Sequence, residues 1–417
     1  MKTSRREFLK WSSLLASGSS VYAANLDSFN SNPSDGRLII VLLRGAYDGL
    51  SAFYPYSDPN YKAFRPTISI GTSQDFDQSV QYKLDDDFAL HPSLSSLIPY
   101  WEQKRFAFIP TAGLSKAYRS HFEAQHYLET GQDGNNSMSN GWMNNLASVN
   151  KGSGLIGVGE ANPEILRGLI TPKLVPRGNA ALQTGVLSNL HNRAVLEDLY
   201  SKDPVLNDLF VNGENSRLNT AMILNQAQTK NSQEAMQANK DASSPSALLQ
   251  DSRHLVALLQ QNDDLKLGFL SAGGWDTHAG QGNEKGALAN NLLNLGTSLA
   301  YLQNNFNRPN DVIVVLSEFG RTVHENASRG TDHGFGNAMM IMGPQINGGK
   351  RLGRWEGLSL ERLNESRDLP VFHDYRLVLS EIMRNVFNLD SQQIAKVFPS
   401  VHLTNTDGAR DLLLFRS

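Results

Sequence analysis

The sequence contains no cysteine, so disulfide bonds and thiolate metal ligands are excluded, and a metal ion must be bound by residues such as His, Asp or Glu. Positive charge is not in excess either. The formal net charge is -3, which excludes the basic footprint of a nucleic-acid-binding protein. After Tyr22 no apolar run reaches the roughly 20 residues that a transmembrane helix needs. We therefore expect a soluble protein without a stable membrane anchor.

The first residues have the layout of a twin-arginine export signal. The pair Arg5-Arg6 precedes a weakly apolar, serine-rich stretch over residues 11–22, and Val21-Tyr22-Ala23 supplies a small-residue cleavage site. Residues 1–23 are thus predicted to be a signal peptide; the alternative is an amphipathic first helix of the fold. The first interpretation makes the twin-arginine translocase a partner during export and the mature protein periplasmic or secreted.

Apolar runs alternate with amphipathic stretches along the rest of the chain. Runs rich in Val, Ile, Leu and Phe predict strands buried on both faces at residues 37–43, 105–109, 265–270, 311–316 and 338–342. Apolar residues at helical spacing predict helices over residues 288–306 and 374–387. This alternation predicts an α/β domain over residues 36–417, with a mostly parallel sheet and helices on both faces. The polar stretch 203–264, with a break at residues 243–245, predicts a helical insertion or cap, with disorder as the alternative.

Carboxylates directly follow three of the predicted strands. Asp48, Asp276 and Glu318 occupy these positions, and ligands of α/β sheets bind beyond the carboxyl ends of the strands. A further loop before the last strand adds Asp332 and His333. Like charges brought together repel unless they are protonated or bridged by a cation, so the pattern predicts a divalent metal site.

The metal ligands at this edge would be mixed. His278 lies two residues after Asp276, and imidazole nitrogen with carboxylate oxygen favours Zn or Mn over Ca, with one or two ions bound. Each acidic residue also has a purely structural interpretation when taken alone: Asp276 suits a loop cap, and Glu318 suits an ion pair with Arg321. The convergence of the set favours the metal.

A serine precedes a predicted helix that follows the strand at residues 105–109. Ser120 and Glu123 match a capping box, which makes Ser120 the first residue of a helix ending near Gly131. A hydroxyl at a helix N-terminus beside a metal ionises more readily, so Ser120 is also a candidate nucleophile. His121 is then a metal ligand or a proton carrier.

Six motifs, in order along the chain, resemble a bacterial family of unknown function, domain of unknown function 1501. They are the segments 43–50, 91–92, 119–122, 274–278, 317–322 and 332–334. The family is grouped with the alkaline phosphatase and sulfatase superfamily, whose members use a metal-bound hydroxyl nucleophile on phosphate or sulfate esters.

This resemblance implies a role for each matching residue. Ser120 would be the nucleophile, and Arg119 and Arg321 would clamp the anionic ester, with Arg321 neutralising charge on the ester oxygens; the alternative for each arginine is a structural ion pair. The metal ligands that the resemblance implies are Asp48, Asp276, His278, Glu318 and His333, and the loop that carries His333 adds Asp332 to the predicted set. Two departures stand out. Glu318-Phe319 occupies the place of the usual Asp-His pair, and the segment 115–119 lacks the proline of the sulfatase maturation motif.

The sequence therefore predicts an exported, metal-dependent hydrolase of small anionic phosphate or sulfate esters. The alternative is a non-catalytic exported binding or accessory protein that keeps the fold and one structural metal, which the loss of the Asp-His pair favours.

Overall fold

The computed structural model describes residues 36–71, 82–132, 140–178, 190–238, 247–399 and 412–416. The signal predicted at residues 1–23 and the break predicted at residues 243–245 lie outside these ranges. Within them, no helix is both long enough and apolar enough to cross a bilayer.

The strands form one large sheet and one small one. They are β1 (Leu38–Leu43), β2 (Phe53–Tyr54), β3 (Ala89–Leu90), β4 (Phe106–Gly113), β5 (Gly154–Val158), β6 (Lys173–Val175), β7 (Leu265–Ala272), β8 (Val312–Leu316), β9 (Asn337–Met342), β10 (Lys350–Arg351) and β11 (His373–Asp374). The large sheet has the order β10-β4-β9-β8-β1-β7-β5-β6, with β11 also pairing with β4, and β2 pairs with β3. All five strands predicted from the apolar runs are present.

The large sheet is parallel except where β9 runs antiparallel to both β4 and β8. The chain passes from β8 to β9 without a helix, and only a parallel return requires a long crossover connection. The carboxyl ends of β1, β4, β5, β7 and β8 therefore lie at the same edge, which the loop before β9 also reaches.

Helices cover both faces of the sheet. They are α1 (Gly49–Ala52), α2 (Pro59–Phe64), α3 (Ile98–Glu102), α4 (His121–Thr130), α5 (Trp142–Val149), α6 (Leu190–Tyr200), α7 (Pro204–Ala238), α8 (Ala247–Gln260), α9 (Ala287–Asn305), α10 (Tyr375–Phe387) and α11 (Ser391–Val397), with short 3-10 helices at Pro92–Leu97, Glu164–Leu166 and Leu360–Arg362. The helices predicted over residues 288–306 and 374–387 are α9 and α10.

Strand β1 shows how the core is divided. Its side chains alternate between the two faces, so Leu38, Ile40 and Leu42 pack in the cluster that contains α4, α5, α10 and α11. Ile39, Val41 and Leu43 pack in the cluster that contains α8 and α9. Every residue of β1 is buried, as a continuous apolar run predicts for a central strand. The predicted α/β class with a mostly parallel, doubly covered sheet is confirmed.

Helices α7 and α8 occupy the stretch 203–264. Helix α8 packs on the sheet through buried leucines such as Leu255 and Leu258. The description of this stretch as an insertion or cap stays a prediction.

Candidate functional site

Two glycines allow the loops at the carboxyl edge of the sheet to approach one another. Gly45, after β1, has φ +113°, and a Cβ there would lie 2.8 Å from the backbone nitrogen of Asp276. Gly320, after β8, exchanges backbone hydrogen bonds with the loop before β9, and a Cβ there would overlap the carbonyl oxygen of Gly336. A side chain at either position would separate the loops that carry the acidic residues and histidines.

Asp276 lies at the centre of a group of imidazoles. Its Oδ1 atom is 3.0 Å from Nε2 of His278, 3.2 Å from Nε2 of His333 and 3.5 Å from Nε2 of His121. His278 and His333 also approach each other, with their Nε2 atoms 3.0 Å apart. We call Asp276, His121, His278 and His333 the imidazole cluster. Among the described residues, His121, Asp276 and His333 form a group that could hold a metal ion.

Each imidazole of the cluster is oriented through its other ring nitrogen. Nδ1 of His121 lies 2.7 Å from Oε1 of Glu318, and Nδ1 of His278 lies 3.1 Å from Oδ1 of Asp332. Nδ1 of His333 lies 2.8 Å from the carbonyl oxygen of Arg119. All three partners are oxygen acceptors, so each Nδ1 carries a hydrogen and donates it.

In its neutral form, each imidazole with a hydrogen on Nδ1 directs its Nε2 lone pair at the Asp276 carboxylate. Converging lone pairs repel, and a cation between them removes the repulsion. Tetrahedral zinc with ligands at about 2.0–2.2 Å separates its ligand atoms by about 3.3–3.6 Å, close to the spacing in the imidazole cluster. The buried Nε2 atom of His121 has no hydrogen-bond partner within the described part of the chain. The donor set therefore fits a divalent metal with a carboxylate and imidazole environment.

Glu318 contacts the imidazole cluster through His121 and is completely buried. Its Oε1 atom accepts hydrogen bonds from the backbone N–H of Gly45 and the side-chain amide of Gln125, in addition to His121. Burial opposes its ionisation, but these hydrogen bonds prevail and lower the pKa of Glu318 to about 2. Carboxylates that hold a metal-binding histidine in this way fix its tautomer and orientation. The structure thus gives Glu318 a positioning contact with His121 rather than a place among the four clustered residues.

Asp332 has the same kind of role toward His278. Its Oδ1 atom also accepts a hydrogen bond from the side-chain amide of Asn326. That hydrogen bond is the main cause of a lowered pKa of Asp332. Asp332 thus contacts the cluster through the imidazole of His278.

The expectation that Arg321 neutralises ester oxygens is not supported by its surroundings. Its side chain is fully buried, with Nη2 2.6 Å from Oδ1 of Asp276. The guanidinium also donates to the carbonyl oxygens of Gly45, Ala46, Trp275 and Thr331. Burial opposes ionisation of Asp276, but Arg321 and the imidazoles prevail and lower the pKa of Asp276 to about 2. Arg321 therefore holds Asp276 in place, and its guanidinium donates to oxygen atoms of the protein.

Asp48 was expected to be a metal ligand, but the structure does not bring it into the imidazole cluster. Its buried carboxylate forms an ion pair with the buried Arg65, with contacts of 2.6 Å and 3.1 Å. Ser51 and Gln281 donate further hydrogen bonds to it, each of 2.7 Å. Burial opposes ionisation, but these partners prevail and lower the pKa of Asp48. These three partners occupy the carboxylate that was expected to bind metal.

Ser120 precedes α4, and Gly131 ends that helix in the left-handed conformation, as predicted. The predicted capping box is wrong, since the Ser120 side chain accepts no hydrogen bond from the first turn of the helix. Ser120 is exposed and lies between two residues that contact the cluster, Arg119 through its carbonyl group and His121 through its ring. Ser120 is thus next in the chain to two residues of the site, and its hydroxyl has no capping role.

Two residues that support the cluster were missed by the sequence analysis. Phe319 packs against the rings of His121 and His333, with centroids 4.8 Å and 5.0 Å away. Gln125 donates to Glu318 from the same face of α4 as His121. The four-residue spacing between His121 and Gln125 was the available signal, because such residues are neighbours on a helix.

The fold and the site define an α/β protein with a candidate metal centre at the carboxyl edge of its sheet. The chain belongs to the family described as protein of unknown function (DUF1501), which matches residues 35–398. A search of curated proteins finds no significant match. Among solved structures, the chain is similar to the alkaline phosphatase from the Antarctic bacterium TAB5, at 10% identity and a TM-score of 0.30. That likeness covers 88% of this chain and 99% of the phosphatase.

Proposed function

We propose that this protein is an exported, metal-dependent hydrolase of phosphate or sulfate esters that uses Ser120 as its nucleophile. The observation that carries the proposal is the convergence of three imidazole Nε2 atoms on Asp276, with every Nδ1 atom held by an oxygen acceptor. A group of this kind at the edge of an α/β sheet, with an exposed serine next to His121 in the chain, suits hydrolysis better than a purely structural role.

The residues of the imidazole cluster would bind one divalent cation, with zinc or manganese the best match to the ligands. When bound, such an ion lowers the pKa of a coordinated hydroxyl and offsets charge on the ester oxygens. Arg321 fixes Asp276, and Glu318 and Asp332 fix two of the imidazoles. Ser120 lies at the start of α4 between Arg119 and His121, which both contact the cluster. Its oxygen would attack the phosphorus or sulfur atom as the alcohol leaves with the serine proton, and water would then cleave the resulting serine ester, which releases phosphate or sulfate and restores the serine hydroxyl.

The proposal is tested by metal analysis of the purified mature chain, reconstituted with Zn²⁺ or Mn²⁺, together with rates on p-nitrophenyl phosphate, bis-p-nitrophenyl phosphate and p-nitrophenyl sulfate. We expect bound metal and turnover of at least one ester. Asp276→Asn should lower both, since it removes the charge on which the imidazoles converge.

His126→Gln is the matched control. His126 lies on α4 with His121 but contacts Glu164 instead of the imidazole cluster, so its metal content should equal that of the unmodified protein. A chain that stays free of metal after reconstitution refutes the proposal. Bound metal with no turnover of any ester favours the alternative of a non-catalytic accessory protein.

A further inference from the structure

A groove of ≈ 1180 Å³ runs along α4, the helix that carries His121 of the imidazole cluster. Gln125 lines the groove and also donates a 2.9 Å hydrogen bond to Glu318, the residue that holds His121. Phe122, the next residue after His121, lines the groove as well. The groove and the imidazole cluster are thus linked through α4 and through the contact between Gln125 and Glu318. The volume of the groove suits a leaving group of substantial size.

Negative charge is in excess along the groove. Its lining contains two guanidinium groups, of Arg44 and Arg167, and four carboxyl groups, of Glu123, Glu129, Glu160 and Glu164. Arg44 forms ion pairs of 2.8 Å with Glu129 and 2.9 Å with Glu160, and Arg167 forms one of 2.6 Å with Glu164. Both guanidinium groups are thus already compensated. An anionic leaving group would be repelled here, and a cationic one attracted.

An aromatic ring is available at the wall of the same groove. The side chain of Phe122 is 90% exposed, and Glu123 follows it directly in the chain. An aromatic face binds alkylammonium groups through its quadrupole, and nearby carboxylates add attraction. A polar, uncharged leaving group would not be attracted by the aromatic ring or by the carboxylates.

We infer that the groove binds the leaving alcohol of the substrate and selects an alcohol with a substituted ammonium group, as in choline phosphate. This inference rests on the hydrolase function proposed above. In the reaction the ester O–P bond breaks, water supplies hydroxyl to phosphorus and a proton to the alcohol oxygen, and choline and phosphate are released. No oxidant or reductant is needed.

The experiment compares choline phosphate with 3,3-dimethylbutyl phosphate, which has the same shape but a carbon atom in place of the charged nitrogen. We expect kcat/KM to favour choline phosphate by about five- to tenfold, from one cation–π contact and nearby carboxylates. Glu123→Gln/Glu164→Gln should reduce this ratio toward one. Glu102→Gln/Glu197→Gln removes the same charge from exposed residues that do not line the groove, and should keep the ratio.

Binding of choline itself, measured by calorimetry, separates this inference from the hydrolase function. If neither ester is hydrolysed but choline binds, and binds more weakly to Glu123→Gln/Glu164→Gln, the groove selects ammonium groups and only the hydrolase function fails. If both esters react equally, or 3,3-dimethylbutyl phosphate reacts faster, the inference is overturned. Absence of choline binding together with absence of turnover also overturns it. Circular dichroism and thermal unfolding of each variant exclude misfolding as the cause.

Discussion

The ion pair between Asp48 and Arg65 gives the sharpest test of the site, because Asp48 also resembles a metal ligand in sequence. The Arg65 side chain is 0% exposed and that of Asp48 is 1% exposed, with two contacts of 2.6 Å and 3.1 Å between them. Asp48→Asn would leave the Arg65 guanidinium buried without a counter-charge. Breaking a buried pair on one side costs about 3–5 kcal/mol, a large part of a typical folding free energy.

The free energy of unfolding, measured by urea denaturation, should therefore fall by about 3–5 kcal/mol in Asp48→Asn. The same substitution in an Arg65→Met background should cost much less, about 1 kcal/mol, because no charge is then left unpaired. Bound metal per folded chain should stay at the level of the unmodified protein. A small loss of stability combined with a loss of bound metal would refute this reasoning and make Asp48 a ligand.

The pH dependence of this effect has a defined sign. The folded state lowers the pKa of Asp48, so the stabilising ionised form is fully present above the unfolded-state pKa of about 3.9 and is lost as the pH falls toward the folded-state value. The difference in stability between the unmodified protein and Asp48→Asn should be constant between about pH 5 and 8 and should narrow below about pH 4. If the difference in stability between the two proteins instead grows as the pH falls, the ion pair between Asp48 and Arg65 is contradicted.

Further predictions concern Ser120, Arg321, Glu318 and the N-terminus. Ser120→Ala should change the free energy of unfolding by less than about 0.5 kcal/mol, since its side chain makes no capping bond, yet abolish ester hydrolysis; retained turnover would exclude it as the nucleophile. Arg321→Lys should destabilise the chain by about 3 kcal/mol and weaken metal binding, because a lysine ammonium cannot replace the planar guanidinium that donates to both Asp276 and the loop carbonyl oxygens. An unchanged free energy of unfolding in urea and an unchanged metal titration would contradict this. Glu318→Gln should lower metal affinity by about 10–100-fold in a competition titration with a chelator, and equal affinity would show that the Glu318 contact does not orient His121. Arg5→Lys/Arg6→Lys should retain the precursor in the cytoplasm on cell fractionation, and its normal export would exclude a twin-arginine signal.

Much of the fold could be predicted from the sequence because its signals are local. A continuous apolar run bounded by turn residues is typical of a buried strand, and this pattern located β1, β4, β7, β8 and β9. The antiparallel direction of β9 could not be predicted, since it depends on how the segment between β8 and β9 folds back. The expected capping box at Ser120 was wrong for a similar reason. The sequence motif permits the bond, but the side chain makes none in the folded chain.

By itself, the sequence determined that acidic residues and histidines reach one edge of the sheet. Each of these residues follows or precedes a strand, and the direction of that strand is set by the strands that pair with it. Asp48 and Asp276 are equivalent at that level: each follows a buried strand through a short glycine-containing turn. Only the tertiary structure decided their different roles. Arg65, on a separate segment, takes the Asp48 carboxylate into a buried ion pair, whereas Arg321 holds Asp276 and leaves it 45% exposed beside three imidazoles. Which arginine reaches which carboxylate is fixed by long-range packing, and no local pattern encodes it.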